Sequence, residues 1–339
     1  VAAAAAAGVV DRVQPTRRIH MTHIRQILQA VAAAVIASTF PFSAMAQAAS
    51  PPALKSTVAQ KTFASADDAA KALAEAVRAK NVDGLLAVVG PGSSSWLFSG
   101  DMVQDRNDWE RFLAAYDQKH ALSEKDGKMV LEVGDDAWPF PAPIVKRGDK
   151  WAFDTNAGRE EIVNRRVGRN ELDAIQTLLA IVDAQREYAS TDADGNGFAD
   201  YAKKFRSSPG KKDGLFWPTD GNAAPSPLGP LVATAAREGY GKAAKKDEGP
   251  QAYHGYYYKI LTKQGRNAPG GAFDYMVGDK LLGGFAVIAW PATYRVSGVT
   301  TFLVNYDGTV YEKDLGPQTG SVAAATTVFN PDKTWRKEQ

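Results

Sequence analysis

The run Asn170-Glu-Leu172-Asp-Ala-Ile175-Gln-Thr-Leu178-Leu179-Ala-Ile-Val182, with the stretch Ser190-Thr-Asp192-Ala-Asp194-Gly195-Asn196-Gly197-Phe-Ala-Asp200-Tyr201 after it, decides how this chain is read. In the first, Leu172, Ile175, Leu178, Leu179 and Val182 recur at helical spacing as one apolar stripe. Asp173, Gln176, Asp183 and Arg186 take the other faces. The second places side-chain oxygens at alternate positions around a glycine, which is what a hard cation needs. Asp192, Asp194 and Asn196 stand at the first, third and fifth positions of a calcium loop, Gly197 at the sixth and Asp200 at the ninth. The twelfth position, where an EF-hand has a bidentate Glu, is Lys203. Calcium is therefore the expected cofactor, bound weakly by Asp192, Asp194, Asn196 and Asp200. The competing reading is a solvated turn whose crowded carboxylates are neutralised by Lys203 or Lys204.

Upstream of the long helix the sequence predicts three shorter ones. Ser65-Ala-Asp67-Asp68 is a capping signature ahead of Ala69, Ala70, Leu73 and Val77. Asn81 caps a second helix, which buries Leu85, Leu86 and Val89 and stops at Gly90-Pro91-Gly92. Trp109, Phe112, Leu113 and Tyr116 form the face of a third, beginning behind Asp105. The period then changes to alternation at Met129, Leu131 and Val133, followed by an Asp135-Asp136 turn, a strand run from Trp138 to Val145 and a hairpin at Arg147-Gly148-Asp149. That tripeptide also spells an adhesion signal, a coincidence expected of so short a motif.

From Gly158 the chain returns to helix, first over Glu160–Val167, and beyond Gly168 a long helix capped by Asn170 is predicted. After the acidic loop and a Pro/Gly-rich stretch, strand patterns recur at Tyr253–Thr262, Phe273–Val277, Gly284–Trp290, Val299–Asn305 and Val310–Lys313. Asp307-Gly308 is the hairpin signal between the last two. The fold class expected is α+β: N-terminal helices with a short antiparallel sheet, then a long helix packed on an antiparallel sheet.

The segment from Met21 to Ala46 has a basic start, an apolar core from Ile27 to Phe42 and small residues at Ala44 and Ala46, the pattern of a secretory signal. Residues 1–20 are read as an upstream extension from a misplaced start, 21–46 as the signal peptide and 47–62 as a flexible linker. A first α+β module spans 63–157 and a helix-plus-sheet module 158–339. Removing the leader leaves 36 basic against 37 acidic side chains, a net charge of −1, in place of +2 for the whole chain. So balanced a surface implies no nucleic-acid partner. Cysteine is absent, which excludes disulfides and thiol chemistry, and His120 and His254 are the histidines left for any site. The compartment expected is the bacterial periplasm or exterior, and the mature protein is not expected to be an integral membrane protein.

Eight blocks carry a family resemblance: Trp138-Pro-Phe-Pro141, Gly158-Arg-Glu-Glu-Ile162, Gly168-Arg-Asn-Glu171, Tyr188-Ala-Ser190, Phe205-Arg-Ser-Ser-Pro-Gly210, Asp213-Gly-Leu-Phe-Trp-Pro218, Ser226-Pro-Leu-Gly-Pro230 and Tyr253-His-Gly-Tyr-Tyr-Tyr258. In this order they resemble the bacterial exported family called domain of unknown function 2950. The resemblance implies kinship from about Phe63 onward and brings no catalytic residues with it. The second half is similar, more loosely, to the globular heads of type IV pilins and pseudopilins, through the helix, the acidic loop and the Phe302–Gly308 motif. The first half is similar to NTF2-like and cystatin-like modules in element order.

Tyr253, His254 and Tyr256 are the expected ligand face, because tyrosine and histidine offer stacking surfaces and hydrogen bonds. Alternation on a strand turns about half of that cluster inward. Glu132, Asp135 and Asp136 provide adjacent carboxylates, which at a hairpin read as a turn, and Ser93-Ser94-Ser95 has no nucleophile-elbow frame. The function expected is therefore a non-catalytic binding or assembly component of the envelope, with an envelope protein or a glycan as partner. The alternative is an envelope hydrolase working on polysaccharide or peptide between the two modules.

Overall fold

The computed structural model describes residues 59–219, 225–241 and 251–338. The signal-peptide reading, and most of the linker, fall outside them. The class is α+β. In chain order the first elements are α1 (Ala66–Arg78), α2 (Val82–Val89), α3 (Ser94–Leu97), α4 (Met102–Gln118), β1 (His120–Lys125), β2 (Lys128–Val133), β3 (Trp138–Pro139), β4 (Ile144–Arg147) and β5 (Lys150–Phe153). Then come α5 (Ala157–Thr191), α6 (Gly229–Glu238), β6 (Tyr256–Leu261), β7 (Lys263–Gln264), β8 (Phe273–Asp274), β9 (Met276–Val277) and β10 (Lys280–Leu281). The chain closes with β11 (Ala286–Pro291), β12 (Thr300–Asn305), β13 (Val310–Asp314), α7 (Thr319–Ala325) and β14 (Arg336–Lys337).

The first helices start where their side chains can satisfy free backbone donors. Ser65 accepts the Asp68 N–H and Asn81 accepts the Gly84 N–H. For α4 the cap is Asp101, which takes the Val103 and Gln104 N–H groups. Asp105, expected to precede this helix, lies inside it and is buried. These helices pack on an antiparallel sheet of order β1-β2-β4-β5, with β3 also paired to β2. Their shared core holds Leu73, Leu86, Trp96, Leu131, Ile144 and Phe153. The strand expected over Trp138–Val145 is broken in two, since Pro141 and Pro143 lack the N–H that a continuous ladder needs.

The two helices expected around Gly168 are one. α5 runs 35 residues, about 50 Å at the α-helical rise. Its N-terminal part lays Ile162 and Val163 on the first core, and Ala174, Leu178, Ile181 and Val182 enter a second. Leu172 and Leu179, read as part of the apolar stripe, are exposed at 62% and 41%. The second core is built on an antiparallel sheet of order β14-β13-β12-β11-β6. All six residues of β11 are buried, because α5 and α7 cover opposite faces. Tyr258 meets Thr177 of α5, while the neighbouring Lys259 Nζ donates to the Ala324 carbonyl of α7 at 2.6 Å. No helix among the described residues is long and apolar enough to cross a membrane.

A buried polar seam joins the two cores. Gln104 Nε2 on α4 donates to Asn170 Oδ1 at 2.9 Å, and Asn170 Nδ2 donates to the Ser297 carbonyl at 2.8 Å. Glu171 Oε1 accepts the Val299 and Thr300 N–H groups. Asn170 is thus no helix cap. It is a fully buried amide whose bonds reach both halves of the chain.

Candidate functional site

Two places gather polar side chains that could do chemistry. The first is the acidic turn closing α5. Asp192 adopts a left-handed conformation (φ 43°, ψ 57°) and ends the helix. Its two carboxylate oxygens accept the Asn196 N–H at 2.9 Å and the Gly197 N–H at 3.0 Å. Asp194 Oδ2 and Asp200 Oδ1 converge from two sides on the Asn196 amide nitrogen, at 2.8 and 2.9 Å. All four expected ligands therefore share one turn. The point between Asp194 and Asp200 is held by a partial positive charge, the amide N–H₂. Rotating that amide by half a turn would present Asn196 Oδ1 beside the two carboxylates, a donor set of hard oxygens suited to calcium. Among the described residues no group of three or more His, Asp or Glu stands in a geometry ready to hold a metal ion. Two surface depressions border the turn and share Asp194 and Asp213, with Lys211 and Lys212 lining one and Lys203, Lys204 and Lys280 the other. Lys204 pairs with Asp213 at 2.8 Å, and Lys203 Nζ donates to the Asp279 carbonyl. The lysines thus spread over the surroundings, while the turn satisfies its own carboxylates.

The second place is centred on His254. Tyr253 and Tyr256 exchange both backbone hydrogen bonds, and the two residues between them, His254 and Gly255, have φ of 49° and 73°. This is the left-handed pair of a two-residue hairpin turn. Gly255 is required there, since a Cβ would stand 2.4 Å from Asn170 Nδ2. The turn holds the imidazole between two carboxylates, with Nδ1 3.6 Å from Asp173 of α5 and Nε2 3.3 Å from Glu238 at the end of α6. The Tyr253 ring lies 4.1 Å from it and the Tyr240 ring 5.8 Å, centre to centre. Tyr240 donates its hydroxyl to Asp101 Oδ2 at 2.7 Å, and the same oxygen accepts the Gly255 N–H at 3.0 Å. Burial pushes the Tyr240 hydroxyl far up, helped by the Asp101 carboxylate. Burial also raises Tyr253, with Glu238 and Asp173 adding to the effect. Both phenols thus stay protonated, and that of Tyr240 serves as a donor to Asp101.

A family model described as "Protein of unknown function (DUF2950)" matches residues 60–338. The chain belongs to that family. No curated protein and no solved structure matches it. The expected likenesses to pilin heads and NTF2-like modules accordingly gain no support from a known fold.

As a member of DUF2950 the chain inherits kinship without chemistry, so each expected site residue is judged by its surroundings. Tyr256 must be removed from the ligand face. It is fully buried, its hydroxyl donates to the Thr300 carbonyl at 2.9 Å, and Gly298 lies against its ring. Tyr253 and His254 remain near the surface. Glu132 accepts Ser123 and Lys125, and Asp135 accepts Gln118, so these acids serve the sheet edge. Ser93 is buried and donates to the Gly90 carbonyl. His120 stacks on Tyr116 with ring centres 3.9 Å apart. Sequence reasoning missed Asp173 and Glu238. Asp173 reads as an outward residue of an amphipathic helix, and Glu238 ends a helix whose Ala- and Pro-containing pattern gave no clear stripe.

Proposed function

We propose that this protein is an exported, non-catalytic binding or assembly component of the bacterial envelope, with a weak calcium site in the turn from Asp192 to Asp200. The single observation that carries the reading is the convergence of Asp194 and Asp200 on one point beside Asp192, filled by the Asn196 amide group. Export is supported by the composition of residues 21–46. Lacking a carboxylate at its twelfth position, the loop would bind calcium with an affinity on the order of 0.1–1 mM, as extracellular modules do. The partner is an envelope protein or a glycan. Tyr253, His254 and the exposed lysines around the turn are the groups available to meet it.

Titration calorimetry with calcium tests the metal site. Wild type should release or absorb heat at millimolar calcium, and Asp192→Ala/Asp194→Ala should give none. A wild type silent in that range removes calcium from the proposal.

One observation favours a second reading, an envelope hydrolase. His254 is flanked by Asp173 and Glu238, an imidazole–carboxylate arrangement able to move a proton. Turnover of a glycan or peptide substrate that disappears in His254→Asn would establish that reading over the first.

A further inference from the structure

We propose that His254 is a proton-operated latch that ties the end of α6, and the hairpin turn at Tyr253–Tyr256, to α5. The argument begins with donor counting and does not depend on the calcium reading. A neutral imidazole has one N–H and one lone pair, whereas an imidazolium has two N–H groups. Both ring nitrogens of His254 face carboxylates, Asp173 at 3.6 Å and Glu238 at 3.3 Å. In the neutral form one carboxylate would therefore face a lone pair. Among the described residues Glu238 Oε2 is buried and makes no hydrogen bond, and positive charge on the ring would compensate it. Glu238 also closes α6, where the carbonyl ends already make a negative charge unfavourable without a cation.

The other groups packed around the ring do not replace that charge. From its own turn and from Tyr240 come phenols, and the backbone N–H of His254 donates to the Tyr240 oxygen at 3.3 Å. α4 contributes Asp101, another carboxylate, already engaged by Tyr240 and Gly255. Tyr258 of β6, beside Thr177, lies close to Tyr253, Asp173 and Asp101, and its buried phenol carries no charge. Arg106 of α4 approaches Gly239, where its guanidinium lies against the backbone next to Glu238. Among the described residues the surroundings of the imidazole are thus three carboxylates and three phenols, with one guanidinium at the periphery. When His254 gives up its second proton to solvent, Asp173 and Glu238 are left facing each other across a neutral ring. The end of α6 and the Tyr253 turn then keep their bonds to α4 through Asp101 and Asn107 but lose the ionic tie to α5. Protonation of the ring closes the latch and its loss opens it, so the closed form belongs to the acid side.

Hydrogen exchange read by mass spectrometry on the full chain tests this, with rates corrected for the intrinsic effect of pH. In wild type, amides of residues 229–241 and 251–256 should be protected about tenfold more at pH 5.5 than at pH 8, while those of β11 and β12 keep the same protection. His254→Asn keeps a residue that tolerates the left-handed backbone. It should abolish the difference, as should Glu238→Gln. Equal protection of the two segments at both pH values in wild type overturns the latch, and so does a difference that persists in His254→Asn.

Discussion

Asp105 shows what a single buried carboxyl does to this protein. Both of its oxygens accept the Ser99 N–H, at 2.9 and 3.2 Å, inside α4. Burial pushes its carboxyl up from 3.8 to about 6, against the pull of Arg166 and of Ser99. Arg166 is itself lowered by burial, while its guanidinium donates to the Trp96 carbonyl at 2.8 Å. Because the folded chain holds this proton more tightly than the unfolded one, the stability due to Asp105 is fully present below about pH 4. It is lost as the pH rises toward 6, a change of about 3 kcal/mol. Urea unfolding of wild type and Asp105→Asn at a series of pH values should therefore show wild type losing ground to the variant between pH 4 and 6. A constant difference would contradict the assignment. At Tyr256 the expectation is simpler. Tyr256→Phe removes the bond to the half-buried Thr300 carbonyl, which should cost about 1 kcal/mol in the same measurement.

Among the elements, α5 carries a test of its own, since one substitution should have opposite signs at two of its glycines. Gly158 lies against the Pro141–Ala142 segment, where a Cβ would stand 2.8 Å from the Ala142 Cα. Gly158→Ala should push helix and segment apart and cost about 1–3 kcal/mol. Gly168 has open space around its missing Cβ and sits in mid-helix. There Gly168→Ala should stabilise by about 0.5–1 kcal/mol, since alanine gives up less backbone entropy. The urea midpoints of the two variants, moving apart from wild type in opposite directions, would confirm that α5 is continuous. The same glycine explains why the sequence suggested two helices. Gly168 followed by Asn170 reads as a stop and a new cap, the correct local rule. The rule fails because the bonds of Asn170 go to Gln104 and Ser297, 66 and 127 positions away. The caps at Ser65 and Asn81 were legible because their partners lie three residues on.

At the scale of the whole molecule, the two cores are coupled through Asp101. One carboxylate caps α4 through Val103 and Gln104 and also receives Tyr240 and Gly255 from the far half of the chain. Asp101→Ala deletes the cap and leaves two buried donors without an acceptor, for an expected loss of about 3 kcal/mol or more. It should also separate the unfolding of the two sheets. Hydrogen exchange at β2 and β12 under increasing urea should coincide in wild type and diverge in the variant. By itself the sequence determined the α+β class, the family, the strand alternation, the hairpin at Asp307-Gly308 and the clustering of Asp192, Asp194, Asn196 and Asp200, because each is written in periodicities and short spacings. Tertiary structure alone decided that Tyr256 belongs to the core, that α5 is one helix and that His254 stands between Asp173 and Glu238. Those outcomes depend on partners brought together from distant positions, and local propensity holds no record of which buried polar group will find which partner.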